Sequence, residues 1–462
     1  MPRAPRRCGR SPLEEEVLEA VRPTPAQVRL LSGFYRMLKR RLEGCLESAG
    51  LRGAVEAEGS FAKGTLTSDK WELDVFVLVE GADRGWIARR GEALLLGCLE
   101  GLPAEARYAE HPYVTVKLMG MEADVVVAPK VSRPGEGGTG VERTPFHTRW
   151  VRGELESNPC LADDARLFKA FLKGIGAYGA ETRVGGFSGL LAEVLTIYHG
   201  GFRGVIEAAA RWRPGAYVDP RGVGDEATLR RRYPDSALLV PDPVDPSRNA
   251  AASVTRRRLA ELVLAANAYL RRPCKLYFHP HAQAASPPAR ADPSRVVALV
   301  LEGDYAGEAR DALWGRLSRL ASWLAGGLEG EGFGAARWEV WTDEASTAII
   351  AFELEHTSLP PLRLTRGPPA WSPERALGFI ARRAQQGLPY TVTREGLLLG
   401  LRPRRHTLAH RALQALAARP DAPLPRGTRA ARAEPPGSEA SRLAAGLLDS
   451  STPRWPRCLL DG

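Results

Sequence analysis

The chain has 462 residues, so roughly two to four domains are expected. It carries 64 Lys and Arg against 54 Asp and Glu, a formal net charge of +10, which points first to a polyanion such as nucleic acid. No run approaches ~18 apolar residues, so no membrane span is expected.

No apolar run follows the N-terminal arginines, so no signal peptide is expected and a cytoplasmic location is. The six cysteines are scattered without a CxxC pair. A structural zinc site is not expected, disulfides are not indicated, and Cys45 and Cys98 read as core residues. Only 8 of the basic residues are Lys, and Asn and Met are rare, which also fits a heat-adapted source.

In chain order, Thr24-Pro25 opens a helix that Gly50 ends, with Thr as the cap and Pro in the first turn. Val55 to Ser60 reads as a strand leading into the turn Gly59-Ser60-Phe61-Ala62-Lys63-Gly64-Thr65. The following Trp71-Glu72-Leu73-Asp74-Val75-Phe76 reads as a second strand. Side chains two apart on a strand share a face, so Glu72 and Asp74 lie together, with Leu73, Val75 and Val77 on the buried side. Two carboxylates on one short face suit a hard divalent cation held with substrate phosphate oxygens. A turn with open backbone amides beside them suits a triphosphate. The same pair also fits the wet face of an amphipathic strand.

Asp83 to Leu99 predicts a helix, and Tyr113 to Leu118 with Met121 to Ala128 predicts a hairpin. Strands in a sheet lie about 5 Å apart, so Asp124 would reach the Glu72/Asp74 face if the hairpin extends that sheet. Three carboxylates suffice for a two-metal phosphoryl-transfer site. Pro129 to Gly140 reads as a flexible loop. Helices follow at Asp163 to Gly176, Ser188 to Gly200 and near Val205 to Trp212. On the first of these, Lys169 and Lys173 share an outer, solvated face.

Arg231 to Pro246 reads as a connection, and an Ala-rich helix then runs through Leu270. Strands at Val296–Leu301, Arg337–Trp341 and Thr347–Glu353, with a helix at Leu313–Leu328, predict a small α+β sandwich of a kind that often binds RNA. Ser372-Pro373 starts another helix, Thr391 to Leu401 a hairpin, and the Arg/Pro/Gly/Ser-rich end a loosely ordered tail.

These motifs carry a resemblance. Gly59-Ser60-…-Lys63-Gly64-Thr65 with Glu72-Leu-Asp74-Val-Phe76 is similar to the nucleotidyltransferase signature of the DNA polymerase β superfamily. His111-Pro-Tyr-Val, Glu122-Ala-Asp124-Val-Val, Thr144-Pro-Phe-His147, Tyr178-Gly-Ala-Glu181, Gly186-Phe-Ser-Gly189 and Asp242-Pro-Val-Asp-…-Arg248-Asn249 add to it. Together they resemble the archaeal-type (class I) CCA-adding tRNA nucleotidyltransferases over about residues 20 to 400.

The resemblance implies a multidomain α+β chain. Residues 1–152 would be the nucleotidyltransferase domain with a mixed sheet. Residues 153–270 would be a helical domain reading the base, 271–415 α+β domains binding tRNA, and 416–462 the tail. Glu72, Asp74 and Asp124 would hold Mg2+. Gly59, Ser60, Lys63, Thr144, His147, Lys169 and Tyr178 would hold the triphosphate, with His147 as a donor, and Arg248 beside Asn249 would read the base. The implied partners are tRNA, CTP and ATP, with no membrane and with a homodimer as one assembly open to the chain. The other readings are a different template-free polymerase, such as a poly(A) polymerase, and a non-catalytic RNA-binding protein.

Overall fold

The computed structural model describes residues 8–108, 112–136, 140–278, 291–450, 452–453 and 455–459. His111 of the quoted motif and residues 137–139 of the predicted loop lie outside the described residues. The chain divides into two compact units, one of residues 1–283 with 453–462 and the other of residues 284–452.

The first unit begins with α1 (Pro12–Val21), α2 (Pro25–Ser48), β1 (Gly53–Glu58), the short α3 (Gly59–Lys63) and β2 (Glu72–Val79). Next come α4 (Arg84–Cys98), β3 (Ala104–Tyr108), β4 (Pro112–Leu118) and β5 (Met121–Pro129). Thr24 caps α2 by accepting from the Gln27 amide, with Pro25 at the first position, as its sequence predicts. The strands form one sheet in the order β1-β2-β5-β4-β3. Neighbours are antiparallel except β2 and β5, which run parallel.

Alternation decides which face is buried. Leu73, Val75 and Val77 of β2 and Ala123, Val125 and Val127 of β5 pack with Leu31, Phe34, Leu38 and Leu42 of α2 and Ile87 and Leu95 of α4. Glu72, Asp74 and Asp124 are therefore left on the opposite face.

The helical part contains α5 (Thr144–Ser157), α6 (Cys160–Gly174), α7 (Gly189–Tyr198), α8 (Phe202–Ala209) and β6 (Ala216–Tyr217). It continues through α9 (Glu226–Arg232), β7 (Leu238–Leu239) and α10 (Arg256–Arg271). Its core includes Phe171, Phe202, Tyr269, Tyr277 and Phe278, whose rings meet at centroid distances of 5.5 to 5.9 Å around Phe171. Helices α1 and α5 are absent from the sequence-based expectations; α1 is opened by a Ser11 capping box and buries Val17 and Leu18, and α5 buries Val151 and Leu155.

The second unit holds β8 (Val296–Gly303), α11 (Arg310–Glu331), β9 (Ala335–Thr342), β10 (Thr347–Leu354), β11 (Leu362–Pro369) and α12 (Pro373–Gln385). After these come β12 (Tyr390–Val392), β13 (Leu397–Pro403), α13 (Ala409–Ala417), β14 (Thr428–Glu434) and α14 (Glu439–Ser450). Its sheets are β14-β8-β10-β9 and β11-β13-β12. The predicted strands and hairpin are present.

Two expectations need correction. The C-terminal stretch is not loosely ordered. Strand β14 pairs antiparallel with β8, and Ala444, Ala445 and Leu448 of α14 are buried against Val296, Ala298 and Ala351. Partner strands and an apolar helix face override the Pro/Arg/Gly bias. The cysteines are also paired: Cys8–Cys160, Cys45–Cys98 and Cys274–Cys458, with Cα–Cα distances of 5.6, 5.5 and 6.0 Å. Partners stand 53 to 184 residues apart, so only the fold brings them within bridging distance.

Candidate active site

The site is built on the junction of β1, α3 and β2. Gly59 has a φ of +64°, a backbone region that L side chains occupy only at a cost. A Cβ there would also stand 1.8 Å from Asp74 Oδ2. Gly59 is thus required both for the turn and for the place of the carboxylate. Gly64 closes α3 in the left-handed region, with the Thr65 amide donating to the Ser60 carbonyl at 2.9 Å.

The parallel register of β2 and β5 sets Glu72 beside Glu122 and Asp74 beside Asp124. Asp74 and Asp124 are therefore direct neighbours across two strands. Desolvation and the Asp124 charge raise the pKa of Asp74, although the residue remains open to solvent at the rim. Desolvation also raises Asp124; its hydrogen bond from Thr115, at 2.7 Å, opposes this, and Glu72 adds to it. Lys70 Nζ reaches both Glu72 carboxylate oxygens, at 2.8 and 2.7 Å. Among the described residues no three His, Cys, Asp or Glu side chains already form a metal-holding set. Lys70 thus pairs with Glu72, and Thr115 with Asp124, on the face where Asp74 stands between them. The hard oxygen donors are nonetheless those a divalent ion takes.

A cavity of about 250 Å³ opens beside these acids. Gly59, Ser60, Lys63, Glu72, Asp74, Lys169 and Tyr178 line it, together with Thr65, Lys70, Gly189 and Glu193. Seven of the sequence-predicted site residues therefore meet in one place, and Asp124 adjoins through Asp74.

Lys169 is not on a solvated face as its spacing suggests. It is 2% exposed, and its Nζ donates to Glu193 Oε1 at 2.7 Å, Thr65 Oγ1 at 3.0 Å and the Thr65 carbonyl at 3.2 Å. Arg166 donates to the Leu66 carbonyl at 2.8 Å, and Lys173 binds Thr67 and Asp69. One basic stripe of α6 thus clamps residues 64–69, which its own periodicity could not reveal. Lys173 Nζ also sits 5.2 Å from the Tyr178 ring centre.

Glu193 on α7 is the residue that the sequence-based reading missed. It accepts from Lys169 and, at 3.0 Å, from Lys63, and it takes the Thr65 hydroxyl. Burial works against its ionised form, yet Lys169 and Lys63 bring its carboxyl down to about 2. The available signal was a lone acid in the apolar run Leu190-Leu191-Ala192-Glu193-Val194-Leu195.

The remaining predicted residues do not line this cavity. Thr144 begins α5, and His147 Nε2 bonds Asp242 Oδ1 and Oδ2 at 2.8 and 2.9 Å. Burial opposes ionisation of Asp242, but the His147 bond lowers its pKa. Arg143 pairs with Asp245 at 3.0 Å, so α5 is tied to the 242–249 turn. Arg248 is exposed on that turn. Asn249 is buried: its Oδ1 accepts from the Val240 and Ala251 amides, and its Nδ2 donates to the Leu238 carbonyl. Its amide braces the turn and leaves no polar group directed at a base.

A mixed sheet with neighbouring acids on its central parallel strands, beside a lysine-lined cavity, defines a nucleotidyltransferase. The nucleotidyltransferase domain family matches residues 39–147. The family described as tRNA nucleotidyltransferase, second domain, matches 163–279, and CCA-adding enzyme, C-terminal domain, matches 300–422. The chain is 47% identical to the CCA-adding enzyme of Aeropyrum pernix over 97% of both chains. It is 38% identical to that of Methanopyrus kandleri over 79% of this chain and 80% of the relative. With that of Methanothermobacter thermautotrophicus it shares 33% over 88% of both. The chain belongs to the CCA-adding enzyme family. Nucleotidyltransferases of this fold use divalent metal.

Proposed function

We propose that this chain adds C, C and A to the 3′ end of tRNA from CTP and ATP, without a nucleic-acid template, releasing pyrophosphate. The carrying observation is that Asp74, paired in register with Asp124, lines the same cavity as Lys63 and Lys169. Glu72, Asp74 and Asp124 would hold the metal, and Mg2+ suits oxygen donors that share it with phosphate. Bound there, two ions would lower the pKa of the 3′-hydroxyl and neutralise the leaving pyrophosphate.

The remaining work belongs to the chain. Ser60, Lys63, Lys169 and Tyr178 orient the phosphates, which is most of catalysis in phosphoryl transfer. Thr144 and His147 stand on α5 outside this cavity, with His147 held by Asp242, so they would meet a nucleotide only beyond the phosphates held there. Arg248 presents its planar donor fork to the base. The arginine-rich region after residue 270 would track the tRNA backbone by shape and phosphate contact.

The deciding assay supplies tRNA lacking its terminal CCA with labelled CTP, ATP and Mg2+. A ladder ending after three additions is expected. A long homopolymer would favour a poly(A) polymerase, and no incorporation would favour a non-catalytic RNA-binding protein. Arg248→Ala should relax the preference for CTP and ATP over UTP; unchanged discrimination would remove Arg248 from base reading.

A further inference from the structure

We propose that Glu193 is the positioning residue of the nucleotide cavity, acting on the triphosphate only through Lys63 and Lys169. The proposal rests on the CTP/ATP reading above and adds a member to the site.

Four segments meet at this carboxylate. Lys63 comes from α3, Thr65 from the segment after it, Lys169 from α6, and Glu193 itself from α7. Glu193 is 1% exposed and gives a separate oxygen to each lysine: Oε2 to Lys63 and Oε1 to Lys169. Touching a triphosphate directly, a carboxylate would repel it. Glu193 can assist only from behind the two ammonium groups.

Stability alone does not call for this cluster, since buried ion pairs are commonly replaceable by apolar side chains at no loss. Two cations against one anion leave a surplus positive charge beside a cavity, which an incoming phosphate would neutralise. A free lysine side chain samples many rotamers. Fixing both before the nucleotide arrives removes that ordering cost from binding.

Electrostatics agree with the geometry. Burial pushes the Lys169 ammonium down, and Glu193 opposes that. Lys63 from α3 and Lys173 along α6 add to the depression, while the Thr65 oxygens accept from the ammonium. Without the Glu193 charge, Lys169 would lose its proton at lower pH.

The test compares the full parent chain with Glu193→Gln and Glu193→Asp. CMP incorporation into tRNA lacking CCA is followed against CTP concentration from pH 6 to pH 10. Glu193→Gln should raise KM for CTP about tenfold or more, because each ammonium loses a buried partner. Its kcat should stay within about threefold. Its rise of KM with pH should begin roughly one unit lower than in the parent. Glu193→Asp, which keeps the charge, should recover part of both. Parent-like KM and pH profile in Glu193→Gln would overturn the proposal, as would a fall in kcat alone. Loss of the folded state in both variants, read by circular dichroism, would also overturn it by marking a core ion pair. Should the parent itself incorporate nothing, the CTP reading is at fault. Equilibrium dialysis of CTP against the three proteins then still decides: equal affinities overturn the Glu193 role, and about tenfold weaker binding by Glu193→Gln upholds it.

Discussion

Two charged groups line the same cavity and are handled in opposite ways. Glu72 and Asp74 are exposed at its rim, with Asp124 beside Asp74 on the neighbouring strand. Lys63 and Lys169 are buried and already neutralised in part by Glu193. The difference follows from dielectric. Charges that water still reaches can wait for a ligand to bring them together. Charges removed from water must find a partner within the protein. The acids are set to be organised by what binds, and the lysines are organised in advance.

The largest way to break this contrast is to remove one acid. Asp74→Asn should lower incorporation by about a thousandfold or more, because a shared carboxylate acts through metal and transition state. CTP affinity, set by the lysine side, should change by less than about threefold, measured by equilibrium dialysis. The melting temperature should hold or rise, since Asn removes the repulsion between the neighbouring Asp74 and Asp124 charges. Equal loss of affinity and turnover would show that the two groups are not separable.

A second variant acts on the acids without touching one. In Gly59→Ala the new methyl would meet Asp74 Oδ2 and force the carboxylate aside. Misplacement on this scale costs about a hundredfold in kcat. The left-handed backbone adds about 1 kcal/mol of destabilisation. A steady-state KM–kcat split checks it: kcat falls while KM for CTP stays near parental.

What could be read in advance divides along the same line. Strand alternation gave Glu72 and Asp74 their common face, because a period of two needs only local sequence. The hairpin placed Asp124 within reach, though nothing local specified the parallel register with β2. On the lysine side, Lys63 and Lys169 were placed at the triphosphate by the family resemblance alone, and spacing gave no sign of it. Helical spacing sets Lys169 and Lys173 on one stripe, but what covers that stripe is a tertiary fact, here the 64–69 segment. Glu193 stands on an apolar helix where pattern alone predicts core. The cysteine pairs and the ordered C-terminal strand were out of reach for the same reason, their partners being 53 to 184 residues away or in another sheet strand.

Glu58 gives the finest test, because it joins both regimes in one row. It pairs in register with Asp74 on the next strand, yet it is 2% exposed. Its Oε2 has no hydrogen-bond partner among the described residues. Burial pushes its carboxyl up to about 7, with Thr148 and Lys63 drawing it back. A carboxyl raised in the folded state favours folding below its unfolded value near 4.5, and that contribution is lost as pH climbs through 7. Glu58→Gln stays neutral throughout. At pH 8 it should stabilise the chain by about 1–3 kcal/mol, and at pH 4, below the unfolded value, it should gain almost nothing. Melting temperatures at the two pH values measure this. An equal shift at both would mean that the buried acid is neutralised by the protein after all, placing it with the lysines instead of against them.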